Sequence, residues 1–176
     1  MEIITSRRSV RRYTEKPVPE EVLQEILHAV QWAPSWANTQ CWEIVVVSDQ
    51  EVKEKLQGVL SPKNPATLAM VSAPIVLAVC GQQKKSGFYK GASTTKYGDW
   101  MLHDIGLATQ NILLAAASHN LGTVVVGAFD HERAGDILNL PEDVEVVTLV
   151  PLGYPDHQPG PPQRRPVDDF VHYNTF

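Results

Sequence analysis

The sequence contains no apolar run that approaches the ~20 residues needed to span a bilayer. No signal peptide opens it, so neither a membrane partner nor export is expected. Only two cysteines occur, Cys41 and Cys80, without a CxxC motif or a supporting histidine cluster. The six histidines show no ligand spacing either. We therefore predict no metal site and a reduced, cytoplasmic setting.

An excess of positive charge is also missing. The chain has 15 basic and 20 acidic residues, a net charge of −5 and a pI near 5.6, which argues against nucleic acid as a partner. No internal repeat is present. With 176 residues, 43% of them hydrophobic, the sequence predicts a single domain over 1–176 with a substantial core.

Hydrophobic periodicity and turn residues define the expected elements. Helices are predicted at 1–6, 19–33, 50–60, 67–71, 99–119 and 131–138, and strands at 44–47, 74–80, 123–126 and 144–150. This alternation favours an α/β or α+β sandwich.

Three segments are less regular. Residues 81–98 are polar and predict a mobile surface loop, or a lid over a site. The helix at 99–119 is apolar nearly all round, and the tail 156–176 has too little periodicity to fold alone. Both features favour a second subunit that covers them.

The most unusual stretch is Arg7-Arg8-Ser9-Val10-Arg11-Arg12-Tyr13, which places four guanidinium groups within six residues. Arginine presents a flat fork of donors that matches phosphate oxygens or the edge of a polar heterocycle. The alternative is a solvated basic turn.

Three further segments contain polar or glycine residues that could also contact a ligand, and each has a simpler structural interpretation. The loop Pro34–Trp42 is dense in hydrogen-bonding side chains, although Asn38 and Gln40 could serve only that loop. Gly127 precedes Ala128-Phe129-Asp130 and could be a plain strand-to-helix turn. Arg164-Arg165 could be a solvated pair in the tail.

Taken in order, these segments resemble the short form of the FMN-dependent nitroreductases. The similarity also includes Ile112–Ala116 and Val150–Pro155, and it extends over essentially the whole chain. It implies an α+β fold, a three-layer α-β-α sandwich with a mostly antiparallel central sheet. It further implies a homodimer that exchanges its C-terminal arms and binds flavin at the subunit interface.

The resemblance assigns the basic residues to FMN. Arg7 and Ser9 would contact the phosphate and ribityl chain, and Arg8 would add its side chain or its backbone. Arg164 and Arg165 would close the far side of the phosphate. Arg11 matches the basic position that faces the flavin pyrimidine, where a cation stabilises the anion formed on reduction.

The remaining cofactor residues implied by the resemblance come from three loops. One reaches the flavin of the opposite subunit, a second places backbone near the flavin N5 and O4, and the third supplies an amide to the pyrimidine edge. The first loop contributes Pro34, Ser35, Trp36 and Asn38, the second contributes Val126, Gly127 and Ala128, and the third contributes Asn64.

The function implied is transfer of hydride from NADH or NADPH to flavin, then to a nitroaromatic, quinone or activated alkene in a ping-pong cycle. No side chain is expected to act as nucleophile or essential acid. The alternative is a flavin store or redox sensor without turnover. Cys41 stands where the family often has proline, and is either a small buried side chain or a redox-sensing thiol. His103 is expected to make packing or capping contacts, the alternative being catalysis.

Overall fold

The computed structural model describes residues 1–176 and contains six α-helices and six β-strands. In chain order these are α1 (Glu2–Ser6), α2 (Glu20–Val30), β1 (Trp42–Val47), α3 (Gln50–Gln57), α4 (Ala69–Ser72), β2 (Ile75–Gln82), β3 (Phe88–Tyr89), β4 (Ala92–Ser93), α5 (Met101–Ser118), β5 (Gly122–Thr123), α6 (His131–Leu138) and β6 (Val144–Gly153). Short 3₁₀ turns lie at Trp36–Asn38 and Val167–Asp169. None of the helices combines the length and apolarity that crossing a bilayer requires.

Four strands form the central sheet in the order β1-β2-β6-β5, and every neighbouring pair is antiparallel. Trp42 pairs with Gly81, and Gln82 pairs with Val144, so β1 begins at the end of the sheet where β6 also begins. At the other end, Gly122 pairs with Gly153. The start of β1 and the short β5 therefore occupy diagonally opposite corners.

Strand β2 shows why the fold has three layers. Val76, Ala78 and Cys80 point into one hydrophobic cluster, whereas Leu77 and Val79 point into a second cluster on the opposite face. Successive side chains of a strand alternate between faces, so a strand apolar throughout needs cover on both sides. Helices α3, α4 and α6 cover one face, and α2 and α5 cover the other. The predicted α+β sandwich with an antiparallel sheet is confirmed.

The helices begin where the sequence supplies caps. The side chain of Asp49 accepts a hydrogen bond from the Val52 backbone N–H at 2.9 Å, and Asp130 does the same for Arg133 at 3.1 Å. Such caps satisfy backbone donors that have no partner inside the helix.

Two elements differ from the sequence prediction. The strand expected at 123–126 pairs as a strand only at Gly122–Thr123, and the chain meets β6 again only through the bridge between Val126 and Leu149. The segment 81–98 is not a plain loop: β2 extends to Gln82, and β3 and β4 then form a hairpin. We call residues 83–98 the hairpin segment.

The tail and the long helix leave apolar surface uncovered. Residues 160–176 are all exposed, including Val167, Phe170, Tyr173 and Phe176. Leu102 of α5 is also 63% exposed. The tail therefore presents several exposed aromatic residues in one segment.

Candidate functional site

The arginine stretch is fixed along the edge of the sheet beside β5. Ser9 forms a parallel bridge with Thr123, and the Val10 N–H donates to the Thr123 carbonyl at 2.9 Å. Further along, the Tyr13 hydroxyl donates to the carbonyls of Val10 and Pro151 at 2.7 and 3.1 Å. The stretch is therefore held by its backbone and by Tyr13, which leaves most of its guanidinium groups available.

Arg7 is within range of the charge of Arg164, from the other end of the chain. Burial lowers the pKa of Arg7, and the charges of Arg164 and Arg8 lower it further. No carboxylate pairs with either Arg7 or Arg164, and neither side chain makes a hydrogen bond within the chain. Two close, unneutralised guanidinium groups favour an anion between them.

The other arginines of the stretch differ in how their side chains are used. Arg8 donates to the carbonyls of Thr5 and Arg7 at 2.7 and 2.8 Å, so its guanidinium closes the end of α1. Arg11 makes one long contact of 3.4 Å to the Ser9 carbonyl, and its buried Nε has no partner. A buried donor without a partner costs free energy, so Arg11 is set up to bind an acceptor that the chain itself does not supply.

The Gly127 turn follows the bridge between Val126 and Leu149, whose backbone groups exchange two hydrogen bonds of 2.9 Å. Gly127 does not have a positive φ, and a Cβ added there would meet no atom within 4 Å. Neither backbone conformation nor packing within the chain thus requires glycine at this position. The missing side chain leaves open space directly over an exposed backbone.

Asn64 joins this turn from a distant part of the chain. Its amide Nδ2 donates to the Ala128 carbonyl at 3.3 Å, and its Oδ1 accepts from the Ala66 N–H at 2.9 Å. His131 supports the turn from the other side, with Nε2 at 3.2 Å from the Gly127 carbonyl. The structure thus brings Asn64 to the Gly127 turn, as the resemblance implies.

The loop 34–42 has a strained backbone. Ala37, Asn38 and Gln40 have φ values of 46°, 55° and 48°, in the left-handed region that residues other than glycine seldom adopt. The Ser35 hydroxyl accepts the Gln40 N–H at 2.9 Å, and the Asn38 side chain accepts the Gln40 amide at 3.2 Å. Strain of this kind, roughly 1 kcal/mol or more per residue, persists only where surrounding contacts impose it, and it is concentrated at functional sites.

Asp104 supplies a large part of that constraint. Its carboxyl is fully buried and accepts from the Trp36 N–H, the Ser86 hydroxyl at 2.6 Å and the Cys41 thiol at 3.8 Å. The exposed ring of His103 lies 3.3 Å from the same carboxyl. From the sequence, His103-Asp104 was expected only to make packing or capping contacts at the start of the helix, and the partners of Asp104 could not be predicted because they lie up to 68 positions away.

Both thiols are poorly suited to redox sensing. Burial raises the pKa of Cys41 to about 11, with a further contribution from the Asp104 carboxylate. Burial likewise raises the pKa of Cys80 to about 12. The thiolate is the reactive form, and both residues are fully buried, so the structure favours the small buried side chain for Cys41.

Helix α5 separates the two halves of the candidate site. Near the start of α5, Asp104 binds the loop 34–42. Just beyond the end of α5, Gly122 packs against Val10 of the arginine stretch, so closely that a Cβ on Gly122 would lie 2.7 Å from the Val10 side chain. At 1.5 Å per residue, the 14 residues that follow Asp104, up to the end of α5 at Ser118, extend about 21 Å. The loop 34–42 and the arginine stretch of one chain therefore cannot enclose the same ligand ring.

The residues present fit a phosphorylated flavin. Arg7 and Arg164 form a site for an anion, Arg11 offers an unpaired donor, and Gly127 leaves room for a flat ring over its backbone. The arginine stretch and the Gly127 turn lie along the β5 edge of an α-β-α sandwich. Fold and site together define a protein that binds a phosphorylated planar cofactor at a sheet edge.

Comparison with known proteins agrees with this description. The profile of the Nitroreductase family matches residues 4–70 and 63–154. A provisionally named NADH dehydrogenase/NAD(P)H nitroreductase of Methanothermobacter thermautotrophicus is 34% identical over 91% of this chain and 79% of its own length. The Bacillus subtilis FMN reductase [NAD(P)H] is 29% identical over 98% of this chain and 72% of its own length.

A solved structure extends the comparison to the fold. The crystal structure of a provisionally named NADH dehydrogenase/NAD(P)H nitroreductase from Bacteroides thetaiotaomicron superposes with a TM-score of 0.82 at 31% identity. The match covers 99% of this chain and 96% of that one. The chain belongs to the nitroreductase family, which confirms the resemblance and the fold predicted from the sequence.

Proposed function

We propose that the chain is an FMN-dependent oxidoreductase that takes hydride from NADH or NADPH and passes it to a small acceptor in a ping-pong cycle. Family membership supports the enzyme class and the cofactor. Each cycle oxidises one NAD(P)H to NAD(P)⁺ and delivers a hydride, equivalent to two electrons and a proton, to a nitroaromatic, quinone or activated alkene, while the second proton that the reduced acceptor needs comes from solvent. FMN supplies the ring atom that accepts and releases the hydride.

The observation that carries the proposal is the meeting of Arg7 and Arg164 without an acidic partner. These two residues would bind the FMN phosphate, with Arg165 beside them and Ser9 on the ribityl chain. The Arg8 guanidinium is already engaged by carbonyl groups of the first turn, so Arg8 would contribute its backbone.

The ring would lie where the chain leaves donors and space. The free Nε of Arg11 would donate to the pyrimidine edge, and its positive charge would stabilise negative charge on that edge after reduction. Val126, Gly127 and Ala128 would offer backbone beside the ring, and Asn64 would hold that turn through the Ala128 carbonyl. No protein group needs to act as a nucleophile.

The opposite face requires a second copy of the chain. Pro34, Ser35, Trp36 and Asn38 would reach the ring from the partner, because the length of α5 keeps the loop 34–42 away from the site of its own chain. The exposed aromatic residues of the tail would pack on that partner. We therefore propose a homodimer with two interfacial sites.

The test has two stages. First, the protein as purified should absorb like an oxidised flavin, and the released cofactor should co-elute with FMN rather than FAD or riboflavin. Second, the FMN-loaded protein should oxidise NADH or NADPH with menadione or a nitroaromatic. A colourless protein that takes up no FMN contradicts the cofactor, and a yellow protein that neither nicotinamide reduces supports a flavin store or sensor instead.

A further inference from the structure

We propose that the hairpin segment, residues 83–98, binds the phosphate groups of the nicotinamide dinucleotide and so recognises the ADP portion of the reductant. The inference rests on the proposed function, because it concerns how the same site selects its electron donor.

The charge of the segment is opposite to that of the chain. It contains Lys84, Lys85, Lys90 and Lys96 and no acidic residue, in a protein with a net charge of −5. None of these lysines forms an ion pair. The acids at the base of the segment bind neutral donors and not its ammonium groups: Gln82 donates to Glu43 at 2.8 Å, Gln83 to Glu145 at 3.0 Å, and the Lys84 backbone N–H to Asp99 at 2.6 Å. The ammonium groups of the segment therefore have no carboxylate partner within the chain and can pair with an anionic ligand.

The shape of the segment suits a nucleotide. Tyr89 and Tyr97 are 65% and 70% exposed, and the ammonium groups of Lys90 and Lys96 lie 5.4 and 4.7 Å from the centres of their rings. Exposed aromatic faces next to cations offer stacking for adenine and charge for phosphate at the same place.

Internal hydrogen bonds hold this surface in a defined shape. The Trp100 indole donates to the Thr95 hydroxyl at 2.6 Å, and the Thr94 hydroxyl donates to the Gly87 carbonyl at 2.8 Å. Because the segment is already ordered in the free protein, a ligand loses no binding free energy in ordering it.

The attachment of the segment places it beside the flavin. The Ser86 hydroxyl and the Trp36 N–H donate to the same buried carboxyl, that of Asp104. In addition, the Lys85 ammonium group lies 3.5 Å from the Gln40 carbonyl within the loop 34–42. Since the loop 34–42 is the part of the chain proposed to cover the flavin ring, the hairpin segment would lie at the edge of the flavin site.

This position fits the geometry of a dinucleotide donor. Its nicotinamide ring must stack against the flavin to deliver hydride, so the pyrophosphate and adenosine extend outwards past the loop 34–42. The basic segment adjoins the loop and complements the negative charge of the phosphates. A donor without the ADP portion would not use the segment at all.

The experiment compares K90Q/K96Q with the unchanged protein, both loaded with FMN. These lysines contact only tyrosine rings, so their replacement leaves the hydrogen bonds of the segment in place. K55Q/R133Q removes the same charge from the exposed surfaces of α3 and α6 and serves as the control. The measurements are KM for NADH and NADPH, KM for 1-benzyl-1,4-dihydronicotinamide, FMN content, and calorimetric titration with ADP.

We expect K90Q/K96Q to raise KM for the dinucleotide about tenfold, the effect of losing two surface charge contacts, and to weaken ADP binding similarly. KM for the truncated donor, the FMN content and the behaviour of the control should not change. The inference is wrong if KM for the dinucleotides stays within about twofold, or if it rises equally for the truncated donor. If no nicotinamide reduces the protein, the proposed function fails, and the ADP titration still decides whether the segment binds a nucleotide.

Discussion

Both carboxylate oxygens of Asp104 lie 3.1 Å from the backbone nitrogen of Trp36. The residues are far apart in the sequence, and this contact fixes the strained loop 34–42 to α5. The same carboxyl holds Ser86, at the base of the hairpin segment. One buried side chain thus positions the two segments that we place over the flavin and at its entrance.

The substitution D104A tests this arrangement. It leaves the donors of Trp36 and Ser86 buried without a partner, which costs about 1–3 kcal/mol for each. We expect a loss of about 2–5 kcal/mol in the free energy of unfolding, measured by urea denaturation, and weaker FMN retention. The exposed Asp136 of α6 provides the control, since D136A should change neither quantity. An unchanged denaturation midpoint for D104A would show that the loop holds itself.

The double substitution R7A/R11A tests the cofactor assignment. Each arginine is proposed to make a charge-assisted hydrogen bond to FMN, worth about 1.5–3 kcal/mol, so the Kd for FMN should rise at least about 100-fold. Quenching of flavin fluorescence in titrations of the apoprotein measures this change, and the fold should survive. R12A/R133A removes equal charge at exposed positions. Equal FMN content in the two double variants would remove the assignment.

Gly127 allows the ring site to be blocked without disturbing the chain. A Cβ added there meets no protein atom within 4 Å and the position is exposed, so G127L should leave the thermal unfolding of the apoprotein unchanged within about 1 kcal/mol. The same side chain would occupy the space proposed for the flavin, and FMN binding should be lost. G135A on α6 should keep both properties. A G127L protein that stays yellow would place the ring elsewhere.

The exposed aromatic residues of the tail test the dimer. Burying one aromatic side chain in the interface contributes about 1.5–3 kcal/mol to the free energy of association. Each substitution removes two such side chains, because both subunits of a symmetric dimer carry it. F170S/Y173S should therefore raise the dimer dissociation constant about a thousandfold or more in sedimentation experiments. V46S on the edge strand β1 serves as a comparison. A dimer of unaltered strength in F170S/Y173S would contradict the packing of the tail on a partner.

The buried thiols give a prediction for alkaline pH. Folding raises the pKa of Cys41 from 9.0 to about 11, because the interior disfavours the thiolate. The stabilisation from the neutral thiol is thus complete below pH 9 and is lost as the pH rises from 9 towards 11. We expect stability to fall by about 1 kcal/mol per pH unit from Cys41 in this range.

The variant C41S isolates this effect, because serine keeps a donor for Asp104 and does not titrate there. Urea denaturation at pH 8, 9 and 10 should show a shallower decline for C41S than for the unchanged protein. Parallel declines would mean that other groups account for the alkaline loss.

The sequence predicted the elements whose signals are local. The apolar run 74–80 places β2 correctly, and the patterns over 50–60 and 131–138 place α3 and α6, because such signals act over a few residues. The strand expected at 123–126 was wrong in extent, since pairing depends on the register of β6 and not on the valines alone. The hairpin within 81–98 was not predicted, because β3 and β4 have only two residues each and lie in a mostly polar segment.

The residues of the candidate site likewise divide into those that the sequence identified and those whose role only the fold shows. The arginine stretch and the Gly127 turn were identified from residue type and order, and the structure shows the Arg11 Nε without a partner and Gly127 open. The different use of Arg8, whose guanidinium turns back on α1, depends on the conformation of that turn. Asp104 gave no local signal, because its role arises only when α5 packs beside the loop 34–42.

The span of α5 has a genetic consequence. A copy of the chain with a defective loop 34–42 still carries an intact arginine stretch at the other end of that helix, and the reverse holds for a copy with defective arginines. Co-expression of two such inactive alleles should rebuild one working centre in every mixed pair, although neither allele yields any alone. Lesions at the two ends of one helix would then fall into separate complementation groups within a single gene.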